Sequence, residues 1–311
     1  MVVVECDRVS KKYNTGLFKK RICAVQNLSF QVKEGTIYGL IGPNGAGKSS
    51  TIRMLLGLSR PTKGEVRFRG NVLNAVDLRA EIGYLPENPY LYDHLNLNEL
   101  LAFSGEAARM EPAVYRLRGR ELMARLDLLD AQKRPLRTFS KGMLQRAGIC
   151  FALLHDPSII VFDEPMSGLD PVGRKMVFDL VMELKQQGKT ILFCSHILND
   201  VERLCDRIGL IHKGQMVREF GREDFLQSAS DAVFLLTDRL DESSQRALEP
   251  LIIQSRPEGE GTLLAVSVDR YLDVNACLQQ KGIAVRGCRS EWVSLEDLFV
   301  HHIREHAPCA V

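Results

Sequence analysis

Gly42, Gly47, Lys48 and Ser49 stand in the spacing G-x-x-x-x-G-K-[ST], inside the stretch LIGPNGAGKSSTIRML. Glycine suits neither helix nor strand interiors, so its crowding between an apolar run and a helical pattern needs a reason. A loop without Cβ atoms can turn consecutive backbone N–H groups inward, and the positive end of the following helix adds to their pull on an anion. Lys48 supplies a point charge suited to β- and γ-phosphates, and the Ser49 hydroxyl suits Mg²⁺. A plain glycine-rich turn is the alternative. The strand before and the helix after favour a nucleoside triphosphate cradle through Gly42, Pro43, Asn44, Gly45, Ala46, Gly47, Lys48, Ser49 and Ser50.

A second group of chemically able residues closes the run SIIVFDEP. Asp163, at the end of an apolar strand, would lie beside the phosphates and hold Mg²⁺ through water. Glu164 follows it and is the natural base to orient or deprotonate a water attacking the γ-phosphate. Two acids after a strand can also be a solvated strand end. Taken with the phosphate loop, they imply hydrolysis of a nucleoside triphosphate.

These residues need a scaffold, and the surrounding pattern supplies one. TIYGLIG, SIIVFDEP and KTILFCSH read as buried strands, while SSTIRMLLGL, VGRKMVFDLVMELKQQG and ILNDVERLC read as helices. Strands alternating with helices imply a mainly parallel sheet. Residues 2–10 and 28–33 read as edge-sheet strands separated by a loop, KKYNTGLFKKR, and RPTKGEVRFRG as a turn and strand. Residues 98–154 are mostly helical in pattern. The pattern changes near residue 222. Beyond it come strand AVFLLTD, helix ESSQRALEPLI, a short strand near 253, strand TLLAVSVD, helix DVNACLQQKG, strand IAVRGC and helix SLEDLFVHHI. The order βαββαβ is that of a ferredoxin-like unit.

Composition narrows the classes of function. A chain of 311 residues suggests about two domains. A net charge of +2 gives no field pointing to nucleic acid. The eight cysteines are scattered, as reduced thiols of a cytosolic protein would be. MVVVECDRVSKKY does not read as a signal peptide, and no apolar run approaches the roughly 18 residues of a membrane span. Any membrane role is expected to come through a partner.

Between the two motifs lies TFSKGMLQR, which resembles the LSGGQ-type signature of ABC ATPases. Ser140 and Gly142 keep its serine and second glycine, and Gln145–Arg146 continue it. SGLD, ending in Asp170, is similar to the family's D-loop, and His196 in FCSH to its switch histidine. Tyr13 stands where the family stacks an aromatic ring on adenine. The motifs cover residues 1 to about 220 in the family's order. The resemblance implies an α/β P-loop cassette at 1–221, with a RecA-like core, an antiparallel β subdomain and a helical subdomain at about 88–155, and a small α+β accessory domain at 222–311. It further implies a nucleotide-binding subunit of an ABC transporter, with ATP and Mg²⁺ as cofactors. Ser140 and Gly142 would serve the γ-phosphate bound on an opposite subunit, so that two ATP molecules hold a head-to-tail dimer, either of this chain or with a related subunit. His196 would contact the γ-phosphate, and Asp170 would link the two sites.

The chain departs from the family's pattern in places. Glu87 replaces the glutamine that usually follows the IGYLP strand, and a carboxylate there can still ligate Mg²⁺. Lys141 and Met143 replace a glycine and a glutamine. Met143 cannot hydrogen-bond as glutamine does. Lys141 adds charge near the partner's phosphates. SKGM resembles the subunits of small ABC-2-type exporters, whose permease is a separate chain. Tyr90, Leu91 and Tyr92 are plausible anchors for that permease, docking near Glu87–Tyr92. The resulting expectation is an ATPase on the cytoplasmic face of the inner or plasma membrane. It would energise export by an integral-membrane permease, with no nucleic acid and no direct membrane insertion. The alternative is a soluble ABC ATPase acting on a ribosome or nucleic-acid machine. HHIREH has spacing that could bind metal but reads better as a frayed terminal helix, and FKKR as a solvated loop.

Overall fold

The computed structural model describes residues 1–15, 20–72, 80–221 and 232–289. The chain divides into two compact units, Met1–Glu219 and Phe220–Val311.

The first unit opens with two long strands, β1 (Val2–Thr15) and β2 (Lys20–Lys33). Both are longer than the pattern predicts. Much of the expected loop KKYNTGLFKKR continues as antiparallel ribbon, with Tyr13 opposite Ile22. Register shifts between Cys6 and Val9 and between Lys11 and Lys12 absorb the twist, so polar residues stay paired where no hydrophobic alternation marks a strand. Next come β3 (Ile37–Ile41), α1 (Lys48–Leu55), β4 (Lys63–Phe68), β5 (Asn71–Val72) and β6 (Ile82–Leu85). Three helices follow, α2 (Leu97–Ala107), α3 (Pro112–Arg125) and α4 (Lys141–Leu153). Then come β7 (Ile159–Asp163), α5 (Pro171–Gln186), β8 (Thr190–Ser195), α6 (Leu198–Leu204), β9 (Arg207–His212) and β10 (Gln215–Gly221), whose last two residues lie past the end of the first unit.

One sheet has the order β2-β1-β4-β5, and the larger one β10-β9-β3-β8-β7-β6. In the larger sheet β3 pairs parallel with β8 and β9, β7 with β8, and β6 with β7. Every residue of β3, β7 and β8 is buried, as expected of parallel strands covered on both faces. The core places α1 between the two sheets. Ile52 and Met54 of α1 pack with Val9, Leu28 and Phe30 on one side and Leu40, Val161 and Leu192 on the other. Phe30 stacks on Tyr38 with ring centroids 5.2 Å apart. The helix that follows the glycine loop is thus held from both faces.

Three helix starts of this unit carry side-chain caps. Asn96 and Glu99 form a reciprocal capping box on α2. Ser140 caps α4 by accepting from the Met143 N–H at 3.2 Å. Asp170 caps α5, with Pro171 in the first turn.

The second unit contains β11 (Ala232–Asp238), α7 (Glu242–Leu248), β12 (Gln254–Glu258), β13 (Gly261–Ser267), α8 (Tyr271–Gln280) and β14 (Val285–Arg289). Its sheet runs β12-β13-β11-β14, and every pairing in it is antiparallel. Leu235, Leu264 and Val266 of the sheet pack with Leu248 of α7 and Val274 and Leu278 of α8. The helix expected at SLEDLFVHHI, the HHIREH stretch and Cys309 lie outside the described residues, as does part of FKKR.

Candidate functional site

Strands β3, β8, β7 and β6 are neighbours in that order and run parallel, so their carboxyl ends share one edge of the sheet. In open α/β sheets this edge is where ligands bind. The glycine loop follows β3, Asp163 ends β7 with Glu164 next, His196 follows β8, and Glu87 lies just past β6. A cavity of about 520 Å³ opens there, lined by the loop from Pro43 to Ser50 and by Tyr13, Glu87, Asp163, Glu164 and His196. Topology therefore joins motifs that are far apart in sequence.

The loop's shape depends on missing Cβ atoms. A Cβ on Gly42 would meet the Ile211 carbonyl oxygen at 2.2 Å, and one on Gly47, whose φ is 108°, the Ala24 carbonyl oxygen at 2.5 Å. The Ala46 carbonyl accepts from the Gly214 N–H at 2.8 Å, and the Gly214 carbonyl accepts from the Gln26 N–H at 2.7 Å. Helix α1 begins at Lys48 with no side-chain cap and no acid in its first turn. Its leading N–H groups and dipole are therefore available to an anion. The buried Lys48 ammonium donates to the Gly42 carbonyl at 2.6 Å. A phosphate oxygen would be a stronger, charge-assisted acceptor for the same group.

Acids crowd the opposite wall. Asp163 is buried, and its carboxyl is pushed up to about 6. Burial is the main cause, followed by the charges of Glu164 and Glu87, with Lys48 and Arg53 opposing. Burial and then the Asp163 charge push the Tyr84 phenol up to about 12. Among the described residues no three acids, histidines or cysteines come together as a metal site, so these carboxylates could supply only part of the oxygen shell of a hard divalent cation.

Glu164 is held from several directions. Its backbone is left-handed, with φ at 54°, a conformation that costs a non-glycine residue energy and persists only where neighbours enforce it. Its N–H donates to the Cys194 carbonyl at 2.9 Å. Its Oε2 lies 2.8 Å from His196 Nδ1 and accepts from Ser195 Oγ at 3.3 Å. Ser195 Oγ in turn accepts from the Ile197 N–H at 3.0 Å. The carbonyl of Glu164 accepts from Gln145 Nε2 at 3.0 Å. The sequence placed Gln145 in the signature but not against Glu164, and did not single out Ser195.

Other residues singled out in the sequence lie apart from the cavity. Ser140, Gly142 and Asp170 do not line it. Ser140 is exposed at the start of α4, Gly142 faces Gly168 and Leu169, and Asp170 accepts from the Gly173 N–H at 2.8 Å. Tyr13 does line it. Its buried hydroxyl has no hydrogen-bond partner among the described residues, and the Lys11 ammonium sits 5.2 Å from its ring centroid. Tyr90 is almost fully exposed at 96%, and Tyr92 packs edge-on against exposed Phe103 with centroids 5.6 Å apart.

The family model for ABC transporters matches residues 25–167. An ABC transporter ATP-binding protein of Nostoc is 36% identical over 97% of this chain and 90% of its own length. The linearmycin resistance ATP-binding protein of Bacillus subtilis is 36% identical over 69% of this chain and 68% of its own. Among solved structures, an ATP-binding subunit of an ABC transporter is 32% identical, with a TM-score of 0.66 over 72% of this chain and 92% of that one. A dimeric ATP-binding cassette in a post-hydrolysis state, bound to ADP and phosphate, is 26% identical, with a TM-score of 0.65 over 70% of this chain and 98% of that one.

Proposed function

The chain belongs to the ABC transporter family as an ATP-binding subunit, and from that premise we propose that it hydrolyses ATP to ADP and phosphate to energise export through a separate integral-membrane permease. The observation that carries this reading is the meeting of Lys48, Asp163, Glu164 and His196 around one cavity at the carboxyl edge of the sheet. The loop N–H groups and Lys48 hold the triphosphate, Tyr13 lies against the base, and Glu164, oriented by His196 and Ser195, takes a proton from the attacking water. Ser49 and Asp163, with Glu87 at hand, would hold Mg²⁺. When bound, Mg²⁺ would neutralise charge on the phosphates. His196 faces the γ-phosphate.

Ser140 and Gly142 stand at a capped helix start away from the cavity of their own chain. Such a start suits an anion brought by a second copy. Two cassettes set head to tail, each completing the other's site and linked through Asp170, account for a signature that its own chain leaves unused. A solved relative is itself dimeric. Residues 1–221 form the nucleotide-binding part in this reading, with 222–311 as accessory. Among the described residues no helix is long and apolar enough to cross a membrane. In this reading the export path belongs to a permease, docked on the exposed Tyr90 and Tyr92 near Glu87, with the subunit at the cytoplasmic face. A relative named for linearmycin resistance is in keeping with export.

Glu164→Gln tests the reading. It removes the base, so phosphate release should fall at least about 100-fold while ATP-driven dimers accumulate on a sizing column. Release at the parent rate would remove Glu164 from its role.

A further inference from the structure

A single oxygen joins three motifs in this chain. The Glu164 carbonyl accepts from Gln145 Nε2 on α4 at 3.0 Å and from the Ser167 N–H at 3.1 Å. Gln145 is 1% exposed and Glu164 is 6% exposed, so the Gln145 bond is shielded from water. Gln145 lies on the helix that Ser140 caps, and Ser167 opens the segment that ends in Asp170. The same two segments also touch at their other end. A Cβ on Gly142 would sit 3.3 Å from the Gly168 carbonyl oxygen, and the Lys141 side chain lies over Gly168. Residues 140–145 and 164–170 therefore pack as one block around the backbone of Glu164.

We propose that Gln145 is a positioning residue that carries the state of the α4 N-terminus to the Glu164 of the same chain. This rests on the reading of Ser140 and Gly142 as ligands of a triphosphate held by a second copy, and of Glu164 as the base. A left-handed non-glycine residue keeps its backbone only while its neighbours over-determine it. The Gln145 bond is one of those constraints, and it comes from a helix whose first turn meets the partner's phosphate. The arriving phosphate holds α4 and so steadies the Gln145 bond already made to the Glu164 carbonyl, which keeps the carboxylate over the ATP bound by its own chain. Filling one site thereby prepares the base of the other. Without Gln145 the buried carbonyl keeps only the bond from the Ser167 N–H, so one of its two constraints is lost at a cost.

The test uses the full chain. Gln145→Met keeps length and apolar volume but removes the donor. The expected result is a fall of about tenfold in kcat, with KM for ATP and dimerisation by a non-hydrolysable ATP analogue within about twofold of the parent. Combined with Ser140→Ala, the losses in kcat should fall short of multiplying, because both changes cut one path. An unchanged kcat, losses that multiply, or a KM that rises in step with the fall in kcat would each overturn the proposal. If Gln145→Met does not fold, hydrogen exchange in residues 163–167 decides. Adding the non-hydrolysable analogue should slow exchange there in the parent chain and not in Ser140→Ala, and equal slowing in both overturns it. A Glu164→Gln chain that still releases phosphate at the parent rate points instead to failure of the underlying reading.

Discussion

Asp163 is where the site's chemistry conflicts with its stability. Burial and the nearby Glu164 and Glu87 raise its carboxyl from 3.8 to about 6. Between those values the native chain binds more protons than the unfolded one, so this residue makes folding less favourable as pH rises through that window, and the full cost is present above it. Asp163→Asn removes the charge. In metal- and nucleotide-free protein at pH 7.5 the variant should be more stable to urea by about 1–3 kcal/mol, given roughly 1.4 kcal/mol per pKa unit. The gain should shrink as pH is lowered toward about 5, and ATP hydrolysis should be lost. A variant no more stable than its parent at pH 7.5 would contradict the crowding. The individual acids were legible in the sequence because they end an apolar strand. The hold on Glu164 by Ser195 and Gln145 was not, because those contacts span 31 and 19 residues.

Among the elements, the glycine loop and α1 act as one piece between two sheets. The loop bends close to β9 at Gly42, where the Ile211 carbonyl leaves no room for a methyl group. Gly42→Ala forces either β9 or the loop to move, which should cost about 2–4 kcal/mol in thermal unfolding, as overpacking beside backbone does. It should also weaken binding of a fluorescent ATP analogue at least about tenfold, since the displaced N–H groups are the cradle. Unchanged affinity would show that the loop tolerates the methyl group. The sequence identified this loop, but not that β9, unremarked in its pattern, is the wall the glycine fits against. The β1–β2 ribbon was missed for a related reason. Its polar, bulged outer half carries no period-two signal, yet it brings Tyr13 to the cavity.

For the whole molecule, the proposed coupling to a permease turns on exposed aromatic residues: Tyr92 and Phe103, which pack edge-on, and Tyr90, two residues before Tyr92 in the chain. Aromatic side chains are frequent anchors of interfaces, and a charge in their midst is expensive to desolvate. Tyr92→Asp should reduce co-purification of the membrane partner at least about tenfold, while ATPase activity of the isolated subunit stays within about twofold. Equal recovery of the partner would move the docking site elsewhere. Recovery of the parent chain with ribosomes and not with membranes would instead favour the soluble reading.

By itself the sequence determined the chemistry of each motif and the alternation of strands and helices, because both depend on residue type and short spacing. Tertiary structure alone decided which motifs share a cavity. The order β3-β8-β7-β6 sets the glycine loop, His196, Asp163 with Glu164, and Glu87 along one edge, and leaves Ser140 off it. Strand order depends on contacts between elements distant in the chain, such as α1 against Leu40, Val161 and Leu192, and such contacts have no local pattern along the chain.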